Sequence, residues 1–177
     1  MAQRIRLASN KDTEGIVRVL RTVFEEYGFT WDGEDYMADI YDVEKHYLNL
    51  GNYFWVSEGE DGVIDGTVGL EVFPALEGEP GTVQLFGGRI RVSAADCSLE
   101  RLYVHPEARR QGIGKTLTLH CIDEGKKLGR RNMEMWSDKH LVDAHRLYQS
   151  VGASIVGERI CDDPDESPEW GLWLPLT

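Results

Sequence analysis

The chain has 177 residues, of which 41% are hydrophobic and 10% aromatic, and its formal net charge is −12. This length fits one domain with a sizeable core, and no apolar run approaches the roughly 20 residues that span a bilayer. The acidic balance argues against nonspecific binding to nucleic acid or to an anionic membrane.

The N-terminus and the cysteines bear on the cellular compartment. The first fifteen residues lack the apolar core of a secretory signal peptide. Cys97, Cys121 and Cys161 are widely spaced and form no CxxC pair. We therefore expect free thiols and a cytoplasmic protein.

The first half of the chain alternates helical and extended patterns. The predicted elements are a strand at 4–8, a helix from Asp12 to about Tyr27, a loop at 28–35, a helical pattern to about Leu50, strands at 53–58 and 63–73, and an additional hairpin at 74–92. Apolar residues on one face support the first helix, and glycines mark the turns of both hairpins. The role of the additional hairpin stays open.

The second half alternates strands with helices. The predicted elements are a strand at 98–104, a helix from Gly112 to about Leu128, a strand at 133–137, a helix at 140–151 closed by Gly152, and strands at 154–160 and 169–176. Strands that first pair locally and then alternate with helices predict a mixed α/β sheet in one domain.

One glycine-containing segment, RRQGIGKTL at 109–117, indicates what kind of ligand the protein binds. A nucleotide-hydrolase loop needs glycine at 109, where Arg109 stands, and the dinucleotide fingerprint needs glycine at 117, where Leu117 stands. What is left is R-x-x-G-x-G between a strand and a helix. Gly112 and Gly114 let the backbone approach a ligand closely at a helix N-terminus, so the turn can bind a pyrophosphate without a metal.

The charge near this segment is basic. Residues 101–131 contain eight of the nineteen basic residues and three acidic ones. This local excess favours an anionic ligand, and a pair of solvated helix ends is the alternative that charge alone leaves open.

Two longer segments give these observations a family context. LERLYVHPEARRQGIGKTL (99–117) resembles the acetyl-coenzyme A (acetyl-CoA) binding segment of the GNAT N-acetyltransferase superfamily, and DAHRLYQSVGASIVGE (143–158) resembles that family's late helix and following strand. The resemblance implies a single N-acetyltransferase domain over residues 1–177. It also implies an α/β fold with a mixed, mostly antiparallel central sheet, flanked by helices and splayed between the strands at 98–104 and 133–137.

The resemblance also implies a set of coenzyme-binding residues. In the family, the backbone of the strand binds the pantetheine arm, and the following turn wraps the pyrophosphate. The corresponding residues here are Leu102, Tyr103, Val104, Arg109, Arg110, Gln111, Gly112, Ile113, Gly114 and Lys115. A solvated basic face is the alternative for the charged side chains.

Glu100 and Tyr148 are the candidate catalytic residues. Uninterrupted strand alternation puts Glu100 on one face with Leu102 and Val104, and the family often has a glutamate at this spacing that removes an amine proton. A solvent-facing or ion-paired glutamate is the alternative. The family's counterpart of Tyr148 assists thiolate departure, and a core tyrosine is the alternative. Leu141 stands where many members have a coenzyme-contacting asparagine.

The expected activity is transfer of the acetyl group of acetyl-CoA to a primary amine by direct attack in a ternary complex. The alternatives are a non-catalytic acetyl-CoA sensor and an acyltransferase that uses a longer acyl-CoA. No metal is expected, since His140 and His145 lie on different sides of their helix.

The acceptor is expected to be a small molecule or a peptide, with neither nucleic acid nor membrane as a partner. Loop 27–35 mixes aromatic and acidic residues and loop 162–169 is acidic, which together favour a cationic amine. Two acidic loops that are merely solvated are the alternative. Whether the protein forms a homodimer stays open.

Overall fold

The computed structural model describes residues 3–176, which contain nine strands and five α-helices. The strands are β1 Arg4–Leu7, β2 Tyr53–Glu58, β3 Ile64–Val72, β4 Val83–Phe86, β5 Arg89–Val92, β6 Cys97–Val104, β7 Asn132–Asp138, β8 Ser154–Ile160 and β9 Pro168–Pro175. The helices are α1 Thr13–Tyr27, α2 Ala38–Tyr41, α3 Val43–His46, α4 Ile113–Lys127 and α5 Val142–Ser150.

Seven of these strands form one mixed sheet in the order β1-β2-β3-β6-β7-β9-β8, and β4 and β5 form a separate antiparallel hairpin. β6 runs parallel to β7, whereas the pairs β1–β2, β7–β9 and β8–β9 are antiparallel. The parallel pairing joins Cys97–Leu99 to Met133–Met135, and β6 and β7 both continue past it. The predicted α/β class with a mostly antiparallel sheet is confirmed.

The chain divides into two compact units. The first contains the described residues up to Gly69 together with Arg101–Thr118, and the second contains Leu70–Glu100 and the described residues from Leu119 onward. β3, β6 and α4 each contribute residues to both units. The expectation of one N-acetyltransferase domain over 1–177 stays a prediction.

The core of the first unit lies under α1. The apolar residues that recur along this helix, Ile16, Val19, Leu20 and Val23, are all buried, as their helical spacing predicts. Ile16, Val19 and Leu20 share one cluster with Met37, Ile40 and Phe54. α1 ends at Gly28, whose φ of 71° closes the helix in the left-handed conformation.

The core of the second unit is built on the central strands. Met133 and Met135 of β7 pair in register with Leu174 and Leu172 of β9, and all four side chains are buried. Gly125 of α4 lies close to Leu176, Met133 and Cys97, so this helix covers the same apolar surface. Cys97, Cys121 and Cys161 are buried and form no disulfide.

The helical pattern predicted to run to Leu50 is wrong as one continuous helix. It is broken at Asp42, whose backbone (φ −148°, ψ 72°) leaves the helical region. The Asp42 carboxylate instead accepts a hydrogen bond from the Lys45 backbone N–H at 3.1 Å and caps α3. Among residues 3–176, no helix is long and apolar enough to cross a membrane.

Candidate active site

The candidate base, Glu100, lies in the middle of β6. Ser98, which is buried, donates its hydroxyl to Glu100 Oε1 at 2.5 Å, while the Glu100 side chain is half-buried. Ser98 and Glu100 share one face of the strand because they are two residues apart. The carboxylate is therefore held in a defined orientation at a partly accessible position, which suits proton abstraction.

The residue after Glu100 interrupts the strand. Arg101 has a φ of 49°, in the left-handed region. The sequence argument that grouped Glu100 with Leu102 and Val104 assumed regular alternation, and a left-handed residue between them breaks that regularity. The assumption of an uninterrupted strand was therefore wrong.

The segment after Arg101 contains the residues expected to bind the pantetheine arm. Leu102, Tyr103 and Val104 are half-buried. The Tyr103 ring lies 6.0 Å from the ring of Phe24 of α1. This ring contact packs Tyr103 of β6 against α1.

The turn between β6 and α4 has the backbone that an anion site requires. Arg110 and Gly112 are left-handed, with φ of 64° and 82°. No atom lies within 4 Å of the position that a Cβ on Gly112 would take, so the backbone is approachable there. Ile113 is 3% exposed and anchors the start of the helix. The N–H groups of the first turn of α4 have no partners within the helix.

The charged side chains of this turn have different environments. Arg109 forms a two-point contact with Glu26, with N–O distances of 2.9 and 2.6 Å, and its Nε donates to the Val104 carbonyl at 3.3 Å. Arg110, Gln111 and Lys115 are exposed. The Arg109 side chain therefore braces the turn, and the other three lie at its surface.

Tyr148 lies on the buried side of α5, at 5% exposure. His145, one turn earlier, is also buried, and desolvation lowers the pKa of its imidazole. Leu141 stands directly before the helix and is half-buried. Among residues 3–176, no three His, Cys, Asp or Glu side chains are grouped to hold a metal ion.

In loop 27–35, Phe29 and Trp31 pack on the core, whereas Tyr27 is exposed. Tyr27 stacks on Phe29 with a centroid distance of 5.5 Å, and Trp31 meets Phe24 edge-on at 5.4 Å. Asp32 accepts hydrogen bonds from the backbone N–H groups of residues 34 and 35. Its carboxylate therefore shapes a turn, while Glu34 and Asp35 are exposed.

The second acceptor loop, 162–169, uses most of its acids internally. Asp162 pairs with Arg89 at 2.6 Å, and Asp163 accepts from the backbone and the hydroxyl of Ser167. Glu169 is buried, and desolvation raises its pKa even though Arg159 contacts it at 2.7 Å. Glu166 is the acid of this loop that combines exposure with a left-handed backbone, at φ 48°.

The sequence did not predict several contacts of these residues. Glu26 on α1, which holds Arg109, and Asp39 on α2, which binds Arg101 at 3.0 Å, are far from their partners in sequence. No spacing rule connects such positions. Ser98 could have been found, because strand alternation puts it beside Glu100.

The chain is similar to known N-acetyltransferases. The model of the Acetyltransferase (GNAT) family matches residues 18–153. An uncharacterized N-acetyltransferase of Escherichia coli, YjgM, is 27% identical over 144 residues, which cover 80% of this chain and 76% of that protein. The L-amino acid N-acyltransferase MnaT of the same organism is 22% identical over 173 residues, which cover 98% of this chain and 90% of that protein.

A solved structure shows the same fold. The phosphinothricin acetyltransferase of Sinorhizobium meliloti, determined in complex with acetyl-CoA, aligns with a TM-score of 0.73 at 20% identity, covering 100% of this chain and 90% of that one. The family match spans more than half of the chain and includes both the turn at 109–115 and Tyr148. The chain therefore belongs to the Acetyltransferase (GNAT) family, whose members are acetyl-CoA-dependent acetyltransferases.

Proposed function

We propose that this protein moves the acetyl group of acetyl-CoA to a primary amine by direct attack in a ternary complex. The observation that carries the proposal is the turn at 109–115, in which left-handed Arg110 and Gly112 lead into the N-terminus of α4. Such a turn offers backbone N–H groups and a helix dipole to a pyrophosphate without a metal.

Residues 109–115 wrap the pyrophosphate, and Leu102, Tyr103 and Val104 bind the pantetheine arm through their backbone. Gly112, Ile113 and Gly114 contribute backbone at the start of α4, while Arg110, Gln111 and Lys115 contribute exposed side chains. Arg109 takes part through its backbone, because its guanidinium is bound to Glu26.

The chemical step needs one base and one acid. Glu100 takes the proton that the amine loses as its nitrogen attacks the thioester carbonyl, and the Val104 N–H polarises that carbonyl. The new C–N bond forms, the C–S bond breaks, and Tyr148 donates a proton to the departing thiolate. No covalent enzyme intermediate is required.

For the acceptor, we propose a cationic small molecule or peptide amine. The support is that Glu34 and Asp35 are exposed in loop 27–35, where Tyr27 stacks on Phe29, and that Glu166 is exposed in loop 162–169. Because MnaT is named an L-amino acid N-acyltransferase, L-amino acids are the competing class.

The test is thiol release from acetyl-CoA with polyamines, aminoglycosides, peptides and L-amino acids as acceptors. We expect the best acceptor to be cationic, and its KM to rise in Glu34→Gln/Asp35→Asn but not in the control Glu60→Gln, which changes an exposed acid in the β2–β3 turn. A best acceptor without charge beyond its reacting amine would contradict the cationic proposal.

The same assay separates the alternatives. Tight acetyl-CoA binding without thiol release on any amine would favour a sensor module. Faster release from a longer acyl-CoA would favour a different acyl donor.

A further inference from the structure

Arg101 is a conformational outlier in the central strand. Four non-glycine residues within 3–176 have a positive φ, and Arg101, at 49°, is the one that lies inside a β-strand. An L-residue pays for this conformation through contact between its Cβ and the backbone. Such strain persists only where the surroundings hold it, and it is concentrated at functional sites.

The Arg101 side chain is clamped by the segment around α2. Its Nε and Nη2 each bind one Asp39 carboxylate oxygen at 3.0 Å, and Nη2 also donates to the Tyr36 carbonyl at 2.7 Å. The guanidinium lies 4.8 Å from the centre of the Tyr36 ring. Its side chain is 14% exposed, so these contacts are largely shielded from water.

Further contacts hold the clamp from both sides. The Tyr47 hydroxyl donates to Asp39 Oδ2 at 2.7 Å and orients the carboxylate. The fully buried Thr67 donates its hydroxyl to the Arg101 carbonyl at 2.7 Å. Hydrogen bonds thus hold both the backbone carbonyl and the side chain of Arg101.

We propose that Arg101 is a positioning residue: its clamp to Asp39 and Tyr36 holds the left-handed bend that aims the backbone of Leu102–Val104 at the thioester. The inference rests on the proposed function, in which that backbone binds the pantetheine arm and polarises the carbonyl. It also ties this backbone to the segment that follows acceptor loop 27–35.

The test compares two substitutions that differ by one methyl group. Arg101→Gly and Arg101→Ala lose the same contacts, but glycine adopts a positive φ without strain and alanine does not. We expect Arg101→Gly to retain about ten times the kcat of Arg101→Ala. Elsewhere in a strand, glycine is the less favourable of the two residues.

A second pair of variants probes the clamp. Asp39→Asn should lower kcat by about tenfold in the wild-type background and have no further effect in Arg101→Gly. The control is Asp12→Asn, which removes a carboxylate that binds Arg6 in the same two-point manner, at 2.8 and 2.9 Å. It should lower thermal stability and leave kcat unchanged.

A spectroscopic readout works without any acceptor. Isotope-edited infrared spectra of bound acetyl-CoA report how strongly its carbonyl is polarised, and the wild-type shift should persist in Arg101→Gly and shrink in Arg101→Ala. If the wild-type protein acetylates no amine but this pattern holds, the proposed function fails and the positioning role stands. Equal kcat and equal spectra in the two variants, or Asp39→Asn behaving like Asp12→Asn, would overturn the inference.

Discussion

The proposed role of Glu100 as a base can be tested with glutamine, which has nearly the same shape but cannot take up the proton. Glu100→Gln keeps an oxygen that can accept the Ser98 hydrogen bond. Loss of a general base should lower turnover by about 10²–10⁴-fold near neutral pH. Turnover should partly recover at high pH, where more of the acceptor amine is deprotonated. Turnover as fast as that of the wild type at every pH would assign Glu100 a structural role.

Tyr148 offers a similar single-group test. If its hydroxyl protonates the leaving thiolate, Tyr148→Phe should lower kcat by roughly tenfold or more with little change in acetyl-CoA affinity. Tyr41→Phe, at a side chain that is 40% exposed, is the control for losing a phenol. Lower thermal stability of Tyr148→Phe with normal kcat would instead mark a core tyrosine.

At the residue scale, the sequence predicted the residues that belong to a recognisable motif. Gly112 follows from the motif, because its left-handed backbone favours glycine. Arg101 was missed, since no pattern marks an arginine as left-handed and its partner Asp39 lies 62 residues away. Its bend depends on tertiary contacts that local sequence does not encode.

The turn before α4 can be tested as a whole element through Gly114. This glycine lies in the first turn of the helix, so valine adds bulk beside the proposed pyrophosphate position without requiring a left-handed backbone. Gly114→Val should abolish acetyl-CoA binding in calorimetric titration and leave the far-ultraviolet circular dichroism unchanged. Leu119→Val, at an exposed position of α4, controls for a β-branched residue in the helix. Unchanged affinity in Gly114→Val would remove the turn from the site.

A buried carboxylate, that of Glu134, ties the hairpin β4–β5 to the sheet. Glu134 of β7 is 1% exposed, binds Arg91 Nε at 2.5 Å, and accepts from the Val92 and Trp136 N–H groups at 2.8 and 3.1 Å. Glu134→Leu leaves the Arg91 charge and two donors without their acceptor. We expect about 3 kcal/mol lower stability in urea unfolding.

An exposed ion pair provides the matched control for this variant. Asp143→Ala breaks the contact with Arg146, whose side chain is 76% exposed, and should change stability by less than about 0.5 kcal/mol. Similar losses in the two variants would mean that the hairpin is not held by Glu134.

At the element scale, regular periodicity was predictive and local interruptions were not. The buried apolar face of α1 and the glycine turn of β4–β5 lie where the sequence periodicity predicts them. The sequence around Asp42 has a helical pattern, yet α2 ends before this residue and the Asp42 carboxylate caps the next helix, α3. Capping competes with helix continuation, and tertiary packing decides the outcome.

At the scale of the whole molecule, the attraction of an anionic ligand depends on where the charges lie more than on the net charge. The sequence shows a basic excess across residues 101–131 in a chain with a net charge of −12. In the fold, Arg101 pairs with Asp39, Arg109 with Glu26 and Lys127 with Glu124. Part of the excess is therefore neutralised by the protein itself, which the linear sequence could not reveal because two of the three partners are distant.

The Arg109–Glu26 pair determines how the protein should respond to ionic strength. With this guanidinium already neutralised, the turn attracts phosphate through its backbone dipoles and through the exposed side chains of Arg110 and Lys115. Dissolved ions screen only the contribution of those two exposed charges strongly. Glu26→Gln frees the Arg109 guanidinium as a third cation, so it should tighten acetyl-CoA binding at low salt and make the dissociation constant rise more steeply with salt than in the wild type. Equal salt slopes in the two proteins would show that Arg109 already contacts the phosphates despite Glu26.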